Sequence, residues 1–156
     1  LRKLLEDHAG ADHLHRAAED ELTSVAQFLK NLTEAVSDNR PPQLRAINID
    51  ADETRLPSDR IMSIGLVVNE FVSNAMKHAV PPGHDGTIDI AFRTAGAEHV
   101  LRMADNGVGV PAGFDINGNT GLGLRVMNSL AQQLRGKLTH ESSGAGTVFT
   151  LRFPAP

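Results

Sequence analysis

Cysteine, tryptophan and tyrosine are all missing from the 156 residues. Without cysteine there are no disulfides, thiolate metal sites or cysteine nucleophiles, which suits a cytoplasmic setting. Without Trp or Tyr, and with a formal charge of −4, the chain offers neither a stacking platform nor a basic footprint, so no nucleic-acid partner is expected. No apolar run approaches the roughly 20 residues of a membrane span and no secretory signal opens the chain, so direct membrane insertion of this stretch is not expected. The first residue is Leu and not Met, which reads as a piece of a longer protein; a sensor or membrane segment would lie outside it. With 40% hydrophobic residues the chain can bury one core, most simply as one domain with a short extra element.

Helical and strand signals alternate without internal repeat. Leu1, Leu4, Leu5 and His8 sit at helical spacing until Gly10. Ser24 and Gln27 form a capping-box pattern ahead of the stripe Val25, Phe28, Leu29, Leu32 and Val36, which ends before Arg40-Pro41-Pro42. Leu44 to Ile49 alternates as a half-buried strand does. Ser58 can cap a long helix from about Asp59, with Ile61, Ile64, Val68, Val72, Ala75 and Met76 on its buried side and Pro81-Pro82-Gly83 as its stop. Ile88, Ile90 and Phe92 alternate in one strand and Val100 to Ala104 form the next, a hairpin turning at Thr94-Ala95-Gly96-Ala97. Leu124, Met127, Leu130, Ala131 and Leu134 define a third helix, which Gly136 is expected to end in a left-handed conformation. Strands Lys137 to Glu141 and Val148 to Phe153 close the chain around "SSGAG". The expected fold is an α/β (α+β) two-layer sandwich: about three helices on one mixed, mainly antiparallel sheet, with an N-terminal helical remnant. Residues 1–38 are read as a helical segment and 39–156 as the main domain.

Four stretches carry the chemistry. In "GLVVNEFVSNAMKHAV" the residues Glu70, Asn74, Lys77 and His78 stand at i, i+4, i+7 and i+8, which places four polar groups on one helix face. An Asn oxygen suits a hard cation such as Mg²⁺, Lys77 and His78 can meet phosphate oxygens, and Glu70 can hold a water or orient Asn74. A solvated helix face with an i, i+4 hydrogen bond uses the same spacing. In "MADNGVGVP" the carboxylate of Asp105 ends an apolar strand and can accept a hydrogen bond from an exocyclic amine, while Gly107 and Gly109 allow close approach of a flat ring. An ordinary Asn-Gly turn looks alike. In "NTGLGLRVM" Gly121 and Gly123 precede a helix whose N-terminal amides can bind phosphate. In "GAGTVFTLRF" Gly146 and Thr147 open the last strand beside that of Asp105.

Taken together and in this order, the four resemble the Bergerat-fold ATPases, which unite DNA gyrase, heat-shock protein 90, histidine kinases and MutL. "NEFVSNAMKHA" is similar to their N box, "DNGVG" to the G1 box, "TGLGL" to the G2 box and "GTVFTLRFP" to the closing strand. Within that superfamily the stretch from about Pro42 to Pro154 most resembles the catalytic domain of sensor histidine kinases, in the subfamily whose N box reads N-E-x-x-x-N-A-x-K-H-A. The resemblance implies ATP and Mg²⁺ as cofactors. It places Asp105 on the adenine amino group with Gly107, Gly109 and Thr147 beside it, and Asn74 on Mg²⁺. Lys77 and His78 would lie near the phosphates, and Gly121, Leu122 and Gly123 would supply lid amides. Glu70 and Asn74 would be the catalytic pair. The lid from Val110 to Thr120 has Phe114 as its only aromatic residue.

The implied reaction moves the γ-phosphoryl group of ATP to a histidine imidazole on an adjoining helical hairpin, for relay to the receiver domain of a response regulator. The parent would be a homodimer through that hairpin. "HLHRAAEDEL" resembles a His-Arg phosphoacceptor motif, but too little chain separates His15 from the N box to supply a second hairpin helix. Leu1 to Arg16 is therefore read as the end of that second helix, with the acceptor upstream. His84, His99 and His140 are read as loop or strand residues without a partner. Two alternatives share the nucleotide site: an anti-sigma-type serine kinase and a noncatalytic ATP-binding regulatory module.

Overall fold

The computed structural model describes residues 22–79, 83, 85–108 and 122–155, apart from the side chains of 78, 79 and 122. The helical reading of Leu1 to Arg16, the Pro81-Pro82 stop and the Val110 to Thr120 lid lie outside the described residues.

Strands β1 (Leu22–Ser24) and β3 (Arg55–Pro57) pair antiparallel as a small ribbon. At three residues each they are too short to show a period, so no strand is expected there from local pattern. Between them α1 (Val25–Ser37) starts at Ser24, whose hydroxyl accepts the Gln27 N–H at 3.2 Å. Only half of the capping box forms, because the Gln27 amide donates forward to Asn31 at 3.0 Å. Val25 and Leu29 are fully buried, while Phe28, Leu32 and Val36 flank the core.

Strand β2 (Leu44–Ala51) leads through β3 into α2 (Ser58–Asn74). The expected Ser58 cap is not realised: Pro57 holds the N-cap position, extended at φ −61° and ψ 155°, with no side-chain cap bond. Strand β3 runs straight into the helix, so the cap falls on a residue that has no acceptor. Ile61, Ile64, Val68 and Val72 are buried as expected, with Val67 and Phe71 beside them. At Gly65 a Cβ would lie 2.7 Å from the Phe28 ring, so α1 crosses α2 through the space that the glycine leaves. The helix then widens into a π segment, Ala75–Ala79. Its i→i+5 bonding shifts Lys77 and His78 from the angles that a 3.6-residue period assigns them.

The main sheet runs β2, β4 (Gly86–Ala95), β5 (Glu98–Asp105), β7 (Gly146–Pro154), β6 (Lys137–Ser143). β2 and β4 are parallel, joined by the α2 crossover, and the other pairs are antiparallel. Ile88, Ile90 and Phe92 of β4, Leu101 and Met103 of β5, and Phe149, Leu151 and Phe153 of β7 are buried and belong to one core with the helices. Helix α3 (Leu122–Gln133) adds Leu124, Met127, Leu130 and Ala131 to that core.

Gly136 does not take the left-handed conformation expected of it; Arg135 does, at φ 57°. The Gly136 N–H reaches Ala131 O at 2.8 Å and the Arg135 N–H reaches Gln132 O at 3.0 Å, the paired bonds of a Schellman ending. Gly136 is needed for a different reason: a Cβ there would stand 2.6 Å from the Arg152 carbonyl oxygen. Three helices on a mixed five-stranded sheet form the α/β sandwich anticipated. Among the described residues no helix is long and apolar enough to cross a membrane.

Candidate functional site

Alternation along β5 turns His99, Leu101, Met103 and Asp105 to the buried side. The file is apolar at its centre and ends on a carboxylate that is only 8% exposed. Asp105 pairs with Ile88 on one side and with buried Thr147 on the other. The Gly107 N–H donates to its Oδ1 at 2.9 Å. Burial pushes the Asp105 carboxyl above the usual carboxylate range, and the amides of Gly107 and Thr147 offset this only in part. An ionised carboxylate has about four acceptor positions, so Asp105 can take a further donor such as a ring amine.

Gly146 packs against the main chain of the same residue from the side of β7. Its φ is 137°, and a Cβ there would fall 2.0 Å from the Asp105 carbonyl oxygen. No other residue type fits.

The second group gathers at the end of α2. A Cβ on Gly123 would stand 2.9 Å from Glu70 Oε2 and 3.1 and 3.2 Å from Asn74 Nδ2 and Oδ1. The first turn of α3 therefore rests directly on Glu70 and Asn74, which are 53 and 49 residues distant in sequence (123 − 70 and 123 − 74). An amide oxygen and a carboxylate are hard donors, and a cation that takes its remaining ligands from phosphate and water fits them. Lys77 is exposed on the π segment. Phe71, next to Glu70, meets Phe149 edge-on at 5.8 Å, and Phe149 pairs with Met103, two residues before Asp105. One aromatic contact thus links the α2 group to the Asp105 group.

Of the expected residues, Glu70, Asn74 and Gly123 come together, as do Asp105, Gly107 and Thr147. Gly109 and Gly121 lie outside the described residues, as do the side chains of His78 and Leu122. Two contributors carried no assigned site role in the sequence reading. Gly146 shows its role only through φ and a long-range approach, and Asn106 only through bonds to Thr87 and Asp85, 19 and 21 residues away in the chain.

The histidines read as partnerless need correction. His99 is 3% exposed, lies between Phe92 and Phe153 at ring distances of 5.6 and 5.2 Å, and bonds Thr94 Oγ1 through Nδ1 at 2.9 Å. His140 stacks on Phe149 at 5.7 Å. Both lie in strands, where alternation brings a side chain onto aromatic neighbours from other strands. His84 lies outside the described residues.

A helix layer on a mixed sheet, with a buried carboxylate ending the central strand and a glycine helix start set on an Asn and a Glu, defines a histidine-kinase type of ATPase domain. The chain belongs to the family described as histidine kinase-, DNA gyrase B-, and HSP90-like ATPase, whose model matches residues 59–156. It is 25% identical over 138 residues to blue-light-activated histidine kinase 2 of Erythrobacter litoralis, covering 88% of this chain and 40% of that protein. It is 28% identical over 133 residues to the sensor histidine kinase PdtaS of Mycobacterium tuberculosis, covering 83% of this chain and 26% of that one. The solved histidine kinase domain of the Erythrobacter litoralis blue-light-activated kinase shares the fold, with a TM-score of 0.78 at 24% identity, over 88% of this chain and 68% of that one. The chain thus spans well under half the length of these two relatives.

Proposed function

We propose that this chain binds ATP with Mg²⁺ and transfers the γ-phosphoryl group to a histidine nitrogen on an adjoining helical hairpin, for relay to a response regulator. The acceptor would lie upstream of Leu1. In this reading residues 1–38 comprise the end of that hairpin plus helix α1, and residues 39–156 hold the nucleotide. The parent is a homodimer through the hairpin, and the domain works in the cytoplasm, where ATP is supplied. The observation that carries the reading is Asp105, a carboxylate buried at the end of the central strand with an amide on one oxygen.

In this reading Asp105 accepts the exocyclic amine of adenine, and Gly107, Gly109 and Thr147 surround the base. Asn74 offers its amide oxygen to Mg²⁺, which neutralises phosphate charge when bound. Glu70, beside Asn74 and against Gly123, holds that side chain in place and can orient the incoming imidazole. Lys77 and His78 face the phosphates, and the amides of Gly121, Leu122 and Gly123 add donors at the start of α3. Phosphoryl transfer needs little covalent help from protein, so positioning of this kind supplies most of the catalysis. The kinase names of the relatives support the reading.

The test is calorimetric titration of ATP, with and without Mg²⁺, followed by radiolabelled ATP on a longer chain that includes the upstream hairpin. Magnesium-dependent binding and an acid-labile, base-stable phosphoryl label on the hairpin are expected. An acid-stable label on serine would favour the serine kinase, and binding without any label the noncatalytic module.

A further inference from the structure

We propose that Asn106 is a positioning residue of the nucleotide site, fixing where Asp105 and Gly107 stand and so how well adenine is told from other bases. The inference rests on the reading of Asp105 as the base-binding carboxylate. The regular β4–β5 ladder ends with Ile88 opposite Asp105. One step further the Asn106 N–H donates to Thr87 O at 3.2 Å. The return bond comes from a side chain: the Thr87 N–H donates to Asn106 Oδ1 at 2.7 Å.

The side-chain carbonyl thus takes a place that a backbone carbonyl would hold in a continued ladder, which frees the main chain to leave the sheet. Asn106 Nδ2 meanwhile donates to Asp85 O at 3.1 Å. The segment it grips is itself anchored, because the Gly86 N–H donates to Gln43 O at 2.8 Å, beside the start of β2. The next amide after the clamp is that of Gly107, the one bonded to Asp105 Oδ1. Rotation of the loop at 106 would carry this amide away from the carboxylate. With Gly146 of β7 abutting the Asp105 main chain, the residue is held from both neighbouring strands.

Adenine offers an amine where guanine offers a carbonyl oxygen, so a fixed acceptor favours the first and repels the second. A loosened acceptor discriminates less. The experiment titrates ATP and GTP calorimetrically into the unsubstituted chain, Asn106→Ala and Asn106→Asp, with thermal melting of each. Asn106→Ala is expected to weaken ATP binding about tenfold and to shrink the ATP over GTP preference by a similar factor. Asn106→Asp retains the acceptor for Thr87 but loses the donor to Asp85, and is expected to show a smaller loss of both. It carries the test if the alanine variant does not fold. Unchanged ATP affinity, or equal weakening for both nucleotides, would overturn the inference and leave Asn106 a structural residue only. Absence of ATP binding by the unsubstituted chain would remove the underlying reading, and this inference with it.

Discussion

Asp105 is buried at a cost to the empty fold. Its folded-state pKa lies above the ordinary carboxylate value because of burial. Such a group contributes stability below about pH 3.9, and that contribution is lost as pH rises through the folded value. At neutral pH the ionised form therefore strains the nucleotide-free domain. Asp105→Asn, which keeps an oxygen for the Gly107 amide, is expected to melt higher than the parent without nucleotide. The same variant is expected to bind ATP more weakly by about 1–3 kcal/mol, the penalty for mispairing a buried polar group. Melting and calorimetry at pH 7 check both halves, and unchanged ATP affinity would remove Asp105 from the base site. Asn74→Ala should leave melting nearly unchanged and reduce the Mg²⁺-dependent part of binding. Overlapping magnesium titrations of variant and parent would remove that role.

Elements meet in this domain where glycines let them. The first turn of α3 rests on Glu70 and Asn74 through Gly123, and β7 passes Asp105 through Gly146. The two contacts differ in what yields. At Gly123 the obstacle is the far end of two side chains, so Gly123→Ala is expected to fold and to lose nucleotide affinity as Glu70 and Asn74 are displaced. At Gly146 the obstacle is the Asp105 backbone and the φ of 137° is hostile to a side chain, so Gly146→Ala is expected to destabilise the fold itself. Parallel melting and ATP titration separate these outcomes. A Gly146→Ala chain that melts like the parent would show that the close approach is not needed.

Far from Asp105, at the opposite end of β5, His99 ties the sheet to the β2–β3 corner. Thr94, which bonds its Nδ1, also gives its N–H to Asp52 Oδ2 at 2.6 Å, and Asp52 in turn accepts the Thr54 N–H at 3.1 Å. The other ring nitrogen, Nε2, is buried without a hydrogen-bond partner among the described residues. Burial, and after it the charge of Arg60, hold the His99 pKa below the ordinary histidine value, against the opposing charge of Asp52. A lowered pKa means that the unfolded chain takes up the proton first. The contribution of neutral His99 is thus complete above about pH 6.5 and is lost as pH falls from there toward the folded value. Melting temperature should fall between pH 7.5 and 5.5, and less so in His99→Phe, which keeps the aromatic stack without a titrating group. Identical pH slopes in the two proteins would sink this account.

What the sequence by itself determined is whatever depends on near neighbours in the chain. The period of 3.6 over Ile61 to Val72 and the period of 2 over Ile88 to Phe92 marked helix and strand, and the four glycine- and polar-rich stretches marked the candidate site. The bond from the Gly107 N–H to Asp105 Oδ1 belongs to this legible part as well, since an Asp two residues before a glycine advertises such a turn, whereas the Asn106 bonds to Thr87 and Asp85 span 19 and 21 residues and were not legible. Tertiary structure alone decided the β1–β3 ribbon, the parallel pairing of β2 with β4, and the left-handed turn at Arg135 in place of Gly136. It also decided that Gly123 would rest on Glu70 and Asn74, and that His99 would be buried against Phe92 and Phe153. These features rest on approaches between segments far apart along the chain. Burial and steric fit select them when the whole core closes, and no local pattern encodes the distance between two strands or the space left above a glycine.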